Sequence, residues 1–391
     1  MIDASGHDEA SANGVFVDDA AQISAHNSDN TKGAGLGTRI TKIEVSKLRL
    51  PLTVPYKLSF GPVTALDTII VQAFDDDGCA GFGEATILTG YTPETIEGAW
   101  QAVSEISKAV VGMETDDAKS QALTRHAETP FSVTAVVTAI EMLEGHDVLQ
   151  SPTSSVPLLA ILGAMDESDI KKEITSHAAA GYTTIKVKIG WDLEDDLART
   201  AFIQSCLPDG VSIRIDGNQG YSKEDGVAFA SRVSPERVEL LEQPCHMDDW
   251  DAAAALAKID NVPFMLDESI YGDAEIERAA ELGGVTHVKL KLMKAGSIDN
   301  LMRQLRRIRE LGMIPVLGNG VASDPGCWME ACVAGVLVDN AGEMNGFLKP
   351  NTHLFTKPLS VIGGAIAMPT EMPRLIDLLA LAVDHHTFSA T

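Results

Sequence analysis

The feature that most constrains the fold is an alternation of short apolar runs with amphipathic segments of helical length between residues 156 and 346. Such short runs predict buried strands, and segments such as DDLARTAFIQSC and SIDNLMRQLRRIREL predict helices between them. The predicted strands are 156–163, 183–190, 211–218, 238–244, 263–268, 287–293, 313–319 and 341–346. Strands that alternate with helices form parallel sheets, so the region predicts an α/β fold with a closed barrel. An open doubly wound sheet is disfavoured because no predicted strand is followed by GxGxxG or a P-loop.

The sequence outside this region predicts further parts. Residues 1–38 are rich in Ala, Ser, Gly, Asn and Asp without a period, which is typical of a flexible tail. Alternating stretches, then helical sequence and the Ser/Pro-rich linker QSPTSSV, predict an α+β domain over residues 39–150. The barrel then spans residues 151–357. Residues 358–391 are expected to return to the first domain, with LIDLLALAV as a short helix.

Charge and cysteine content limit the function classes. The formal net charge is −26, and this excess of carboxylates argues against nucleic acids and anionic membranes, which bind basic surfaces. The five cysteines have no CxxC spacing, which fits reduced thiols in a cytoplasmic protein. No stretch approaches the roughly 18 apolar residues of a membrane helix. The segment MIDASGHDEASANG lacks a basic region and an apolar core, so no secretory signal is predicted.

Polar residues at the carboxyl ends of the predicted strands are the strongest functional signal. A buried strand normally ends in apolar residues, and the carboxyl ends of barrel strands form the active-site face. Successive predicted strands end in Lys186 and Lys188, Asp216 and Asn218, Glu242, Asp267, Lys289 and Lys291, and Glu343 and Asn345. Because side chains alternate along a strand, each pair separated by one residue shares a face.

Carboxylates at the ends of consecutive strands predict a site for a hard divalent cation. Asp216, Glu242 and Asp267 offer the oxygen ligands that Mg²⁺ prefers. Histidine and cysteine do not accompany them at ligand spacing, which disfavours zinc. The alternative is that they are separate surface carboxylates that cap helices. Glu268 follows Asp267 directly and is expected to point the other way, supporting the site from behind.

Lysines inside apolar strands are the second functional signal, because a buried lysine normally needs a partner. Lys186 and Lys188 share one face, and the charge of Lys186 is expected to lower the pKa of Lys188 toward neutrality. A base with that pKa can remove the proton α to a carboxylate, with Lys291 as the second group. The alternative is a solvated basic edge, which is expected for Lys294 and is also considered for Lys289.

The order of the motifs KxK, DGN, EQP, DES and KLMKAG resembles the enolase superfamily, specifically the muconate-lactonizing subgroup with its dipeptide epimerases and amino-acid racemases. The resemblance covers roughly Thr38 to Pro369. It implies an N-terminal α+β capping domain on a modified (β/α)7β TIM-like barrel. It also implies Mg²⁺, or Mn²⁺ in its place, and lysine bases acting on an enediolate. The implied roles are catalysis for Lys188 and Lys291, support for Lys186, Asn218 and Glu268, and metal binding for Asp216, Glu242 and Asp267.

The predicted eighth strand departs from the dipeptide epimerases of this subgroup, which carry Asp-x-Asp there. The matching stretch is Glu343-Met344-Asn345, so one acidic group is kept. Glu343, beside Asn345, is therefore expected to bind a substrate ammonium. The stretches GNGVASD and AGEMNG resemble the cis-3-hydroxy-L-proline dehydratases of the subgroup. This resemblance implies α-proton removal followed by dehydration of cis-3-hydroxy-L-proline to 1-pyrroline-2-carboxylate, or by 2-epimerisation.

Residues of the first domain are expected to contact the substrate, by analogy with loops that close over the barrel. These are Tyr56, Leu58, Phe60 and Tyr91. Ordinary packing between the domains is an equally weighted alternative. The end of the cap reads MPTEMPRL and departs from the usual pattern of the subgroup.

Other functions stay open on the sequence. These are a dipeptide epimerase or amino-acid racemase of the same subgroup, a Schiff-base barrel aldolase, and a non-catalytic barrel protein. An aldolase also uses a lysine on the sixth strand but does not need the carboxylates. The intact lysines and carboxylates argue against a non-catalytic role. The expected partner is a small amino-acid or proline-derivative substrate, and a homo-oligomer is expected.

Overall fold

The structure is a computed structural model that describes residues 38–58, 61–88 and 94–391. For residues 56–58 and 61–62 it describes the backbone alone. Within these ranges, every helix is too short or too polar to cross a lipid bilayer.

Strands and helices alternate through most of the described chain. The strands are β1 Lys42–Leu58, β2 Gly61–Phe74, β3 Ala80–Ile87, β4 Ser155–Pro157, β5 Ala160–Leu162, β6 Thr184–Lys188, β7 Ser212–Asp216, β8 Val238–Glu242, β9 Phe264–Leu266, β10 Val285–Leu290, β11 Ile314–Leu317, β12 Ser360–Ile362, β13 Ala365–Ala367 and β14 Ala382–Ser389. The helices are α1 Ile96–Val110, α2 Thr115–Leu123, α3 Pro130–Leu143, α4 Asp147–Gln150, α5 Glu167–Ala179, α6 Leu193–Cys206, α7 Lys223–Arg232, α8 Trp250–Leu256, α9 Asp273–Glu281, α10 Leu292–Ala295, α11 Ile298–Glu310 and α12 Asp324–Leu337.

An antiparallel sheet with the strand order β14-β1-β2-β3 and the helices α1 to α3 form the capping part of the molecule. Helix α3 is buried along its whole length because it packs on β2 and β3 and also on α10 of the barrel. Gly81 and Gly83 permit the close approach of β3 to α3. A Cβ at either glycine would lie 2.1 Å or 2.0 Å from the carbonyl oxygens of Ala139 and Ala135.

The C-terminal segment contributes to two sheets. β12 pairs with β13, β13 pairs with β4, and β14 pairs antiparallel with β1. The predicted helix in LIDLLALAV is wrong, because a turn at Leu378–Leu381 leads directly into β14. β1 offers Ala382–Ser389 a long edge for hydrogen bonds, which stabilises the segment as a strand.

The barrel is built on a parallel sheet of seven strands in the order β11-β10-β9-β8-β7-β6-β5. Helices α5 to α9, α11 and α12 lie between successive strands in the chain or follow the last one. Together with the antiparallel capping sheet, this arrangement confirms the predicted α/β fold class.

The predicted strand at 341–346 is replaced by a single parallel bridge between Gly342 and Leu158. Gly342 N donates to Pro157 O at 3.0 Å, and Glu343 N donates to Leu317 O at 3.1 Å, so the segment joins β11 to the start of the barrel. The chain then turns at once, because Asn345 N bonds to Glu343 O at 2.8 Å. That turn leaves no further residues for a ladder.

The interior of the barrel is layered. Leu240, Met265 and Val316 form a small apolar cluster separate from the main core. Leu240 and Met265 precede Glu242 and Asp267 by two residues and therefore share their face. The apolar layer thus lies beneath the carboxylates at the carboxyl ends of the strands.

Candidate active site

The carboxyl ends of β6, β7 and β8 place charged side chains at one level. Lys188 is in register with Asp216, and Asp216 is in register with Glu242. Asp267 follows β9 directly, and Lys291 follows β10. The structure therefore brings together the predicted lysines and carboxylates that the sequence spreads over more than a hundred residues.

Lys186 lies beneath these groups and is buried. Its Nζ is 2.8 Å from Asp216 Oδ2, 3.0 Å from Glu242 Oε2 and 2.7 Å from Glu343 Oε2. Burial alone would lower the pKa of Lys186, but the surrounding carboxylates outweigh it and hold the pKa well above its usual value. Lys186 therefore stays protonated and contributes a permanent positive charge to the site.

Lys289 is a second buried cation at this depth. Its Nζ lies 3.0 Å from Glu242 Oε1 and 3.4 Å from Asp267 Oδ2, and it also contacts Glu343 Oε2. The solvated basic edge considered for Lys289 and Lys294 is wrong, because both side chains are buried. Each finds partners on other segments of the chain, Lys289 in Glu242 and Lys294 in the Ile270 carbonyl.

The two predicted catalytic lysines contact different ligand carboxylates. Lys188 Nζ lies 2.6 Å from Asp216 Oδ2 and also contacts Asn218 Oδ1. Lys291 Nζ lies 2.7 Å from Asp267 Oδ1. Burial would lower the pKa of Lys291, but Asp267 outweighs it and the net shift is upward.

The turn after β7 has an unusual backbone. Asn218 and Gln219 both have positive φ, at 40° and 66°. Left-handed backbone at two successive non-glycine residues costs free energy and is concentrated at functional sites. Here it lets Asn218 N bond to Asp216 Oδ1 at 2.8 Å and Asn218 Nδ2 bond to Glu268 Oε1 at 3.1 Å. Asn218 therefore links Lys188 to Glu268.

Glu268 follows Asp267 and is buried, and its Oε1 accepts a hydrogen bond from Asn218 Nδ2 at 3.1 Å. Burial, and then the charge of Asp267, raise the pKa of Glu268 above its usual value. Its supporting role stays a prediction.

Glu343 and Asn345 close the site opposite β7. The Oε2 atom of Glu343 contacts both Lys186 and Lys289, and burial is outweighed by these lysines, so its pKa lies well below the usual value. A Cβ built at Gly320 would lie 3.2 Å from Glu343 Oε1, 3.4 Å from Lys349 Nζ and 3.6 Å from Asn345 Oδ1. These polar atoms therefore surround one point at Gly320.

A cavity of about 50 Å³ lies at this end of the barrel. It is lined by Leu88, Lys186, Lys188, Asn218, Asp267, Lys289, Lys291, Asn319, Gly320, Val321 and Glu343. The sequence reasoning missed Leu88, Asn319, Gly320 and Val321 as lining residues. Asn319 is the last residue of the predicted seventh strand, so the signal that selected the other strand ends would have found it.

The predicted cap contacts cannot be placed in this cavity. Phe60 and Tyr91 lie outside the described residues, and for Tyr56 and Leu58 the backbone alone is described. Their roles stay predictions.

The donor set fits Mg²⁺. Asp216, Glu242 and Asp267 offer oxygen atoms alone, and their carboxylates already hold cationic groups between them. Among the described residues, the group of three whose ligand atoms lie within 4.8 Å of one another is a different one, Glu141 with His146 and Asp299.

That second group is explained by helix capping. Glu141 accepts hydrogen bonds from Ile298 N at 2.8 Å and Asp299 N at 3.2 Å, at the start of α11. His146 Nε2 is 3.1 Å from Asp299 Oδ1. The carboxylate of Glu141 thus satisfies backbone amides that lack partners within the helix.

Comparison with known proteins finds one family profile and relatives that are epimerases. The profile described as Enolase C-terminal domain-like matches residues 169–373, which is more than half of the chain. The L-Ala-D/L-Glu epimerase of Clostridium acetobutylicum is 27% identical over 297 residues, covering 71% of this chain and 82% of the relative. The hydrophobic dipeptide epimerase of Citrifermentans bemidjiense is 30% identical over 278 residues, covering 65% and 74%. A crystal structure of the dipeptide epimerase from Cytophaga hutchinsonii, complexed with Mg and D-Ala-L-Val, superposes with a TM-score of 0.81 at 21% identity, covering 90% of this chain and 100% of that one.

Proposed function

Because this chain belongs to the enolase superfamily, we propose that it is a Mg²⁺-dependent enzyme that removes the proton α to a carboxylate. The observation that carries the proposal is the pairing of lysines with ligand-type carboxylates, Lys188 with Asp216 and Lys291 with Asp267, around one cavity. Two lysines on different sides of a substrate can act on both faces of its α-carbon.

The chain's own residues supply the proton transfers. Lys188, oriented by Asp216 and Asn218, takes or returns the proton on one face. Lys291, oriented by Asp267, does so on the other. Mg²⁺, held by Asp216, Glu242 and Asp267, would bind the substrate carboxylate and stabilise the enediolate by several kcal/mol.

The substrate proposed is cis-3-hydroxy-L-proline or a close relative. A lysine removes the proton from C2, and the C3 hydroxyl leaves as water after taking up a proton from the opposing lysine. The resulting enamine tautomerises to 1-pyrroline-2-carboxylate. Glu343 Oε1 beside Gly320 offers a partner for the ammonium group of such a substrate.

Epimerisation of a dipeptide or amino acid is the second candidate. Its support is the similarity to the epimerases of Clostridium acetobutylicum and Citrifermentans bemidjiense. The same lysines would carry it out, because reprotonation from the opposite face needs no leaving group. The presence of a hydroxyl group at C3 of the substrate therefore decides between dehydration and epimerisation.

The test is exchange of the α-proton in D₂O, followed by NMR, for hydroxyproline isomers, proline and dipeptides. Reactions run with and without Mg²⁺, using the wild-type protein and the variants Lys188→Ala and Lys291→Ala. We expect Mg²⁺-dependent exchange in the wild type and loss of exchange on one face in each variant. Exchange at the wild-type rate in both variants, or in EDTA, would contradict the proposal.

A further inference from the structure

Lys289 occupies a position that the proposed mechanism does not use. Its Nζ lies between Glu242 at 3.0 Å and Asp267 at 3.4 Å, two of the three proposed Mg²⁺ ligands. It also contacts Glu343, whose Oε2 is shared with Lys186. The side chain is 3% exposed, so its charge is compensated by these carboxylates and not by water.

A cation at this place acts on the ligands in two ways. It offsets the repulsion between Glu242 and Asp267, whose charges would otherwise be buried close together. It also competes with any other cation, because the oxygen atoms that it contacts are those that a divalent ion needs. Lys186 acts in the same manner on Asp216 and Glu242, but it lies in the KxK motif already assigned to the reaction.

We propose that Lys289 is a positioning residue whose charge occupies the oxygen atoms of Glu242 and Asp267 before the divalent ion binds, and that it thereby weakens the affinity for that ion. This inference rests on the metal site of the proposed function. It predicts that removing the charge of Lys289 tightens Mg²⁺ binding, although a residue with a merely structural role would weaken binding when removed.

Lys294 provides a matched control. It is also buried and close in sequence, but its Nζ bonds to the Ile270 carbonyl at 3.2 Å and lies 4.0 Å from the centre of the Tyr271 ring. Among the described residues, Lys294 forms no salt bridge with the three proposed ligands, although its charge helps to lower the pKa of Asp267. Burial, and then Lys291, lower the pKa of Lys294 to about 8, so the comparison is made at pH 7, where the control still carries its charge.

The experiment measures the Kd of Mg²⁺ by isothermal titration calorimetry on the full-length protein without substrate. Lys289→Met removes the charge, and Lys289→Gln removes it while keeping a donor for Glu242. Lys289→Arg keeps the charge. We expect Mg²⁺ to bind about tenfold more tightly to the first two variants. Lys289→Arg and Lys294→Met should stay within about threefold of the wild type.

Each outcome separates the inference from the proposed function. If the wild type binds Mg²⁺ but the uncharged variants bind it equally or more weakly, the inference is wrong and the metal site stands. If the wild type shows no binding, the metal site of the proposed function is wrong and the inference falls with it. Should Lys289→Met be unfolded without Mg²⁺, Lys289→Gln decides, and a rise in Tm on adding Mg²⁺ that is no larger than in the wild type counts against the inference.

Discussion

Two regions of the molecule bury carboxylates but give them different hydrogen-bond partners. One is the site at the carboxyl ends of the barrel strands, called the mouth below, and the other is the contact between the capping part and the barrel, called the seam. At the seam, Glu84 accepts hydrogen bonds from Ser323 N at 2.7 Å, Ser323 Oγ at 2.8 Å and Gly326 N at 2.8 Å, at the start of α12. Glu141 does the same at the start of α11. At the mouth, the carboxylates are held by lysine side chains.

The difference separates stability from chemistry. Backbone amides at a helix start are fixed, so the seam carboxylates have one arrangement and anchor the cap to the barrel. Lysine side chains can move, so their places at the mouth can be taken by a metal ion or a substrate. Substitutions at the seam should therefore change the free energy of unfolding, and substitutions at the mouth should change turnover.

The largest effect is expected from Lys291→Ala. Loss of one acid–base group should lower kcat by about 10³-fold, within the range of general acid–base catalysis. Asp267 loses a partner, but bound Mg²⁺ compensates its charge, so the unfolding midpoint with Mg²⁺ should change little. Steady-state kinetics and thermal unfolding, measured on the same preparation, check both parts. A large loss of stability with unchanged kcat would show that a substitution at the mouth acts on the fold, as substitutions at the seam are expected to do.

Glu343→Gln should lower kcat/KM for amino-acid substrates by about two to three decades, because one partner of a desolvated ion pair is lost. Metal affinity should change less, since Glu343 is not a proposed ligand. Equal losses for substrates with and without an amine would assign Glu343 to orienting Lys186 and Lys289 instead. Kinetics on proline-type acids and matched 2-hydroxy acids distinguish these roles.

Glu84→Ala sharpens the comparison from the seam. It leaves the Ser323 and Gly326 amides buried without their acceptor, which should cost about 3 kcal/mol of unfolding free energy. Urea denaturation measures this loss, and Glu84→Gln serves as the control that keeps one acceptor. The kcat of the folded fraction should stay near that of the wild type. A fall in kcat with normal stability would mean that the seam takes part in the chemistry.

The smallest effect concerns the pH dependence of stability. Burial raises the pKa of Glu141 to about 7, so the folded protein favours its protonated form. A raised folded-state pKa gives stability that is present below the usual value and is lost as the pH rises through about 7. The unfolding free energy of the wild type should therefore fall between roughly pH 5 and 8, and in Glu141→Gln this fall should be smaller by about 2 kcal/mol. Parallel urea curves for the two proteins over that range would contradict this.

The sequence predicted the parts of the site that depend on strand position. Lys188, Asp216 and Glu242 were found because barrel strands end at one face, and the register places them side by side. The burial of Lys289 was not predictable, because a lone lysine in a strand does not reveal a partner 47 residues away.

The seam was missed for a related reason. Helix caps are usually sought within the first turn of the helix itself. Glu84 caps a helix that begins 239 residues later, and Glu141 one that begins 157 residues later. The missing eighth strand has a local cause, since the turn at Asn345 ends the pairing after one bridge.

The single bridge at Gly342 affects which positions in this part of the barrel can tolerate substitutions. Residues 343 to 345 are not part of a strand ladder, so the pairing of the seven-stranded sheet does not depend on their side chains. Gly342 itself cannot vary, because a Cβ there would collide with the Met344 side chain and the Leu317 carbonyl. Under the proposed function, changes at position 345 would alter substrate preference without touching the sheet, whereas a change at position 343 would also have to compensate the charges of Lys186 and Lys289.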